Sequence, residues 1–160
     1  MSEKKKAHKI TFRFHSELFD KEVTEELWAI EVDAAQGLYQ IDSMPSFVPL
    51  IATEDIVRAE FSRMEEGLLY KETVTPSGNS NIQVIRHNED TPLLDLRKRF
   101  AELGCVSEQI NEDFFILEVP LTVNYANVKE LLDELEAEEE IEYAEPCLSD
   151  VHREQTSGEV

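Results

Sequence analysis

Apolar and polar residues alternate through the first half of the chain, the period of half-buried strands. Ile10-Thr11-Phe12-Arg13-Phe14 shows it first. Trp28, Ile30 and Val32 then alternate with Ala29 and Glu31, which predicts a strand with Trp28 on its core face. Gly37 breaks the run and Leu38-Tyr39-Gln40-Ile41 resumes it, as in a hairpin. Met44-Pro45-Ser46-Phe47-Val48-Pro49 carries two prolines and reads as a crossing loop rather than a central strand. Ile56 to Phe61 and Leu68 to Val74 are two further strands around a Glu66-Gly67 turn. Thr75-Pro76-Ser77-Gly78-Asn79-Ser80 is a turn-rich connector. Five short strands with tight turns predict a small barrel or curled sheet.

Beyond Ser80 the period changes. Asn81 to Arg86 reads as a strand. Thr91 is placed to N-cap a helix with Pro92 in its first turn. Leu93, Leu96, Phe100 and Leu103 recur at helical spacing, and Gly104 is the stop. Cys105 to Ile110 and Phe114 to Val119 are strands around an Asn111-Glu112-Asp113 turn. Asn127 with Glu130 resembles a capping box. Val128, Leu131, Leu132 and Leu135 make one apolar helical stripe, and Ile141 to Glu145 a last strand before Pro146.

The class is therefore α+β. A β-rich N-terminal subdomain covers 8–76, and a ferredoxin-like βαββαβ subdomain covers 81–148. Residues 1–7 and 151–160 are expected to be disordered tails.

Charge sharpens this picture. The 160 residues hold 15 Lys+Arg and 35 Asp+Glu, a net of −20. Residues 1–80 carry 9 basic and 15 acidic side chains, and residues 81–160 carry 6 and 20. Such a surface opposes nucleic acid and anionic membranes and would attract a basic protein. Solubility alone is the plainer use of that charge. No apolar run reaches the roughly 18–20 residues that span a bilayer. The Lys4-Lys5-Lys6 start has no apolar segment behind it, so no secretory signal is expected. With only Cys105 and Cys147, the expectation is a cytoplasmic protein with reduced thiols.

Five segments bear a resemblance in order and spacing. Glu26-Leu27-Trp28-Ala29, Gly37-Leu38-Tyr39-Gln40-Ile41-Asp42 with Pro45, Glu54-Asp55-Ile56-Val57-Arg58-Ala59, Ser77-Gly78-Asn79-Ser80 and Leu103-Gly104-Cys105 look like the bacterial domain-of-unknown-function family 4265 (DUF4265). The resemblance covers roughly residues 8–150. It implies a small bacterial cytosolic protein with no established activity, and it supplies no catalytic residue.

Motif chemistry is sparse. The chain has no Gly-x-x-x-x-Gly-Lys-Ser/Thr loop, no Gly-x-Gly-x-x-Gly, no Gly-x-Ser-x-Gly, no His-Glu-x-x-His and no Cys-x-x-Cys. No catalytic residue, cofactor or metal ligand is assigned, and the expectation is a protein that is not an enzyme. His8, His15, His87 and His152 have polar neighbours and read as surface residues. Cys105 reads as a small core residue. Ser77, Gly78, Asn79 and Ser80 form the one polar loop where a small anion could sit, although the same residues are ordinary turn formers.

The acidic helix residues Asp133, Glu134, Glu136 and Glu138 are the candidate contact set for a basic partner, as in an immunity-type inhibitor of a basic toxin. Carboxylates at a helix C-terminus oppose its dipole, a placement against local stability. The alternative is a small-metabolite-binding regulatory domain of ferredoxin-like type, an analogy at the level of fold. An enzyme that pairs carboxylates is a third class, but 35 acids make chance pairs inevitable.

Overall fold

A computed structural model describes residues 6–16 and 19–157. The chain divides between Ser77 and Gly78 into two compact units. Of the expected disordered tail 1–7, residues 1–5 lie outside the described residues, and Ala7 instead opens a strand. Lys6 itself accepts a hydrogen bond on its carbonyl from the Glu31 amide at 3.0 Å.

The N-terminal unit is a closed barrel of five strands: β1 (Ala7–Ser16), β2 (Lys21–Asp33), β3 (Leu38–Ile41), β4 (Ile56–Ser62) and β5 (Gly67–Thr75). Each strand pairs antiparallel with the next. An odd number of antiparallel strands can close only through one parallel pair, and β1 meets β5 in that sense at Ile10↔Leu68 and Thr11↔Leu69. Register shifts in β2–β3 and β4–β5 supply the curl that closure needs. Between β2 and β3 a 3-10 turn, Ala34–Gln36, ends at Gly37 with φ 72°. A Cβ on Gly37 would lie 2.8 Å from the Ala59 carbonyl oxygen, so glycine is required there for space as well as for φ.

The barrel interior holds Ile10, Phe12, Leu27, Ala29, Tyr39, Ile41, Val57 and Ala59, joined by Val48 and Ile51 of the segment between β3 and β4. Phe12 stacks on Tyr70 at 4.8 Å. The expected face of β2 is inverted. Leu27 and Ala29 point inward, while Trp28 is 48% exposed and Val32 is exposed too. The bore of a five-stranded barrel is narrow, and small residues must alternate with large ones to fill it. Ala29 fits opposite Ile41, and Trp28 is left outside. There the Lys9 ammonium lies 5.3 Å from its ring centroid, on the residue directly across the strand pair.

The C-terminal unit runs β6 (Ser80–Arg86), α1 (Leu93–Glu102), β7 (Val106–Gln109), β8 (Phe114–Val119), α2 (Tyr125–Ala137), β9 (Ile141–Cys147) and α3 (Asp150–Ser157). Its four strands form an antiparallel sheet in the order β7-β8-β6-β9. Ile82 pairs with Leu117 and Val84 with Phe115, so these four share one sheet face. That face packs with Leu93, Leu96 and Phe100 of α1 and Val128, Leu132 and Leu135 of α2 in a single core.

Both helix starts differ from expectation. α1 begins at Leu93 with Pro92 in the cap position, because the Thr91 hydroxyl donates to the Glu140 carboxylate instead of capping. α2 begins at Tyr125, since Asn124 caps by accepting from the Ala126 amide at 3.0 Å. Asn127 therefore lies inside the first turn. The expected disordered tail after Asp150 is also corrected: residues 150–157 form α3, which packs beside α2 and buries His152.

Candidate functional site

The acidic residues of α2 face outward because its apolar stripe faces in. Val128, Leu132 and Leu135 are buried, which turns Glu130, Asp133, Glu134, Glu136 and Glu138 to the exposed side. Glu130, Glu134 and Glu138 succeed one another at four-residue spacing, where like charges repel. The last turn of α2 has no basic residue to offset the dipole. Among the described residues, no ion pair involves Glu134, Glu136 or Glu138. After the Glu138 cap the chain reverses through Glu139, with φ 60°. Glu140 turns back, and its carboxylate accepts from Asn88 Nδ2 at 3.2 Å and from the Thr91 hydroxyl.

Asp133, the fourth acid of the expected set, is engaged differently. It accepts from the Tyr143 hydroxyl, which in turn accepts from Lys129 Nζ at 2.9 Å. Lys129 Nζ also lies 3.6 Å from Glu145, and Glu145 accepts from the Tyr125 hydroxyl. Burial pushes the Tyr143 phenol up to about 12, with the hydrogen bond to Asp133 adding to it. Burial alone would lower the Lys129 ammonium, but Tyr143 and Glu145 hold it above its ordinary value. Between α2 and α3 lies a polar groove of about 420 Å³ lined by Asn127, Lys129, Glu130, Asp133, Gln155 and Thr156.

The polar loop expected at Ser77 to Ser80 is committed to internal bonds. The Ser77 amide donates to Asp55 Oδ1 at 2.8 Å and its hydroxyl to the Thr53 carbonyl at 2.8 Å. Gly78, with φ 91°, sits against Leu121 where a Cβ would meet a methyl at 2.7 Å. Asn79 Oδ1 accepts from the Leu121 amide at 2.9 Å. Ser80 is fully buried.

Ser80 has the partner that sequence reading missed. Its Oγ lies 2.6 Å from His152 Nδ1, and both residues are 0% exposed. His152 Nε2 lies 3.1 Å from the carbonyls of both Pro120 and Val123. Carbonyls only accept, so the proton is on Nε2, and Nδ1 accepts from the Ser80 hydroxyl. Ser80 Oγ also accepts from the Ser149 amide at 2.8 Å. A serine on an imidazole suggests a nucleophile and its base. Here the hydroxyl is saturated and sealed from solvent, and the far nitrogen meets carbonyls rather than an orienting carboxylate. The pair works as a structural clamp. Ser149, whose hydroxyl accepts from the His152 amide at 3.2 Å, and Asp150 in the first turn were the legible signs of a helix start.

The other histidines lie at the surface or half-buried, each beside an acid. His8 Nε2 is 2.9 Å from Glu31, His15 is 3.5 Å from Asp20 and His87 is 3.1 Å from Glu142. Cys105 is buried as expected, and desolvation, with the Glu118 charge, pushes its thiol up to about 12. Among the described residues no three His, Cys, Asp or Glu side chains are grouped to hold a metal ion. No helix among them is long and apolar enough to cross a membrane.

Comparison with known proteins places the chain in a family. Residues 25–143 match the family described as "Domain of unknown function (DUF4265)", and the chain belongs to it. No curated protein matches. A solved structure described as "Novel crystal structure of a hypothetical protein from Neisseria gonorrhoeae" is similar in fold. It has a TM-score of 0.78 and 23% identity, covering 93% of this chain and 99% of that one.

Proposed function

We propose that this chain is a non-enzymatic binding protein that engages a basic protein partner through the acidic surface of α2, in the manner of an immunity-type inhibitor. The observation that carries the reading is the row of Glu134, Glu136 and Glu138 at the C-terminal end of α2, which makes no ion pair among the described residues. Each carboxylate there opposes the helix dipole and repels its neighbours. A cationic partner would relieve both penalties and would be drawn in by the net charge of −20. The clamped Ser80–His152 pair and the raised Cys105 thiol support the non-enzymatic half of the reading.

The test is a comparative capture at low and high salt, using the wild-type chain and Glu134→Lys/Glu136→Lys/Glu138→Lys. The reading expects a basic protein held by the wild type at low salt, released at high salt and not held by the variant. Equal capture by both chains would refute it.

A second reading has a specific observation behind it. The order β-α-β-β-α-β with sheet order β7-β8-β6-β9 supports a ferredoxin-like C-terminal unit, an arrangement that can carry metabolite sites. The α2–α3 groove would be the place to look. A melting shift produced by a metabolite and abolished by Lys129→Ala would favour it.

A further inference from the structure

Helix α3 is attached in an unusual way. Of its side chains from Asp150 to Thr156, only His152 is buried; Asp150, Val151, Arg153 and Glu154 are exposed, and Gln155 and Thr156 are half-buried. Short helices are ordinarily held by an apolar stripe against the core. This one is held by polar bonds: His152 to Ser80, Pro120 and Val123, and Gln155 Oε1 accepting from the Tyr125 amide at 2.7 Å. The single buried anchor is a side chain that titrates near neutrality.

We propose that α3 is a proton-operated latch: protonation of His152 releases the helix while the rest of the C-terminal unit stays folded, removing the α3 wall of the groove beside Glu130 and Asp133. The proposal goes beyond the reading of the Glu134–Glu138 row: the groove it opens is lined by Glu130 and Asp133 and by none of Glu134, Glu136 or Glu138.

The groups around the ring give the mechanism. From β6 it meets the Ser80 hydroxyl, and from the segment before α2 the Pro120 and Val123 carbonyls. From α2 it meets the Tyr125 ring at 5.7 Å, whose hydroxyl donates to Glu145 of β9. On α3 itself Asp150, Arg153 and Glu154 are exposed. Among the described residues no carboxylate pairs with His152. A proton on Nδ1 would therefore place an uncompensated cation in a sealed site and displace the Ser80 hydroxyl proton from its acceptor. The two carbonyls favour the cation, burial disfavours it more, and the net direction is below the ordinary 6.5. The docked state thus prefers the neutral ring. Its stability is complete above pH 6.5 and is lost as the pH falls through the lower docked value.

The experiment is amide exchange on the full chain between about pH 7.5 and about pH 5, corrected for intrinsic rates, a window that straddles the ordinary histidine range. Protection of the α3 amides should fall by up to about tenfold per pH unit below that range, while β8 keeps its protection. His152→Gln should abolish the pH response. If that variant leaves α3 unprotected even at neutral pH, the ring titration of the wild type decides. A value below 6.5, moving together with α3 protection, supports the latch. An ordinary value, or the same pH response in wild type and His152→Gln, overturns it. No partner enters these readouts, so the latch and the acidic-face reading fail separately.

Discussion

Asp55 and Ser77, 22 positions apart in the chain, are joined by a carboxylate that accepts the Ser77 amide at 2.8 Å and, through its other oxygen, the Ala52 amide at 3.0 Å. Asp55 is 3% exposed. It ties the end of the crossing loop to the connector that follows β5. Asp55→Ala should destabilise the barrel unit by about 1–3 kcal/mol, since it strips the buried Ala52 amide and the half-buried Ser77 amide of their acceptor. Denaturant melts followed by Trp28 fluorescence measure it.

The pH dependence of that residue has a definite sign. Burial raises the Asp55 carboxyl above its ordinary 3.8, outweighing the amide bonds that favour the anion. The folded state therefore holds the proton more tightly than the unfolded chain. That contribution is complete below 3.8 and is lost as the pH rises through the folded value. The stability difference between wild type and Asp55→Ala should narrow as the pH rises above 3.8. A difference that widens with pH would mean the amides, rather than burial, control the group.

Trp28 and Ala29 test the barrel packing. Trp28→Ser removes an outward ring and should cost less than about 1 kcal/mol, as surface changes do. Ala29→Leu forces extra methylenes into a filled bore and should cost about 1–3 kcal/mol or more. Equal effects would contradict the observed face of β2.

That pair also marks where sequence reading reached its limit. The order of elements from β1 to β9 was legible, because period two gives way to period 3.6 after Ser80 and the turn residues stand where the chain turns; α3 was not. The face of β2 was not. Trp28, Ile30 and Val32 are the more apolar set, yet the width of a closed barrel decides which set goes inside, and closure is a long-range property. Asn127 and Glu130 matched a capping box, but Asn124 supplied the cap one turn earlier. His152 has charged neighbours that resemble a solvated tail, and only the distant Ser80 reveals it as buried. The acids of α2 were visible as acids. That Asp133 would be taken up by Tyr143 depended on how β9 pairs with β6.

The thiols should differ in reactivity. Cys105, buried and held near 12, stays protonated at neutral pH, and the thiolate is the reactive form. Cys147 is half-buried. Alkylation of the native chain followed by peptide mapping should label Cys147 first, with Cys105 labelled only on unfolding. Labelling of Cys105 at a comparable rate would show that the segment between α1 and β7 opens far more readily than its packing implies.

The central claim is that the carboxylates at the end of α2 steer a basic partner. The most direct measurement is the association rate of the captured partner against ionic strength, for the wild type and for Glu134→Lys/Glu136→Lys/Glu138→Lys. Steering predicts a fast wild-type rate that falls steeply with salt, and a slower, flatter dependence for the variant. An unchanged rate and slope in the variant would contradict the claim and leave the charge of this surface to solubility.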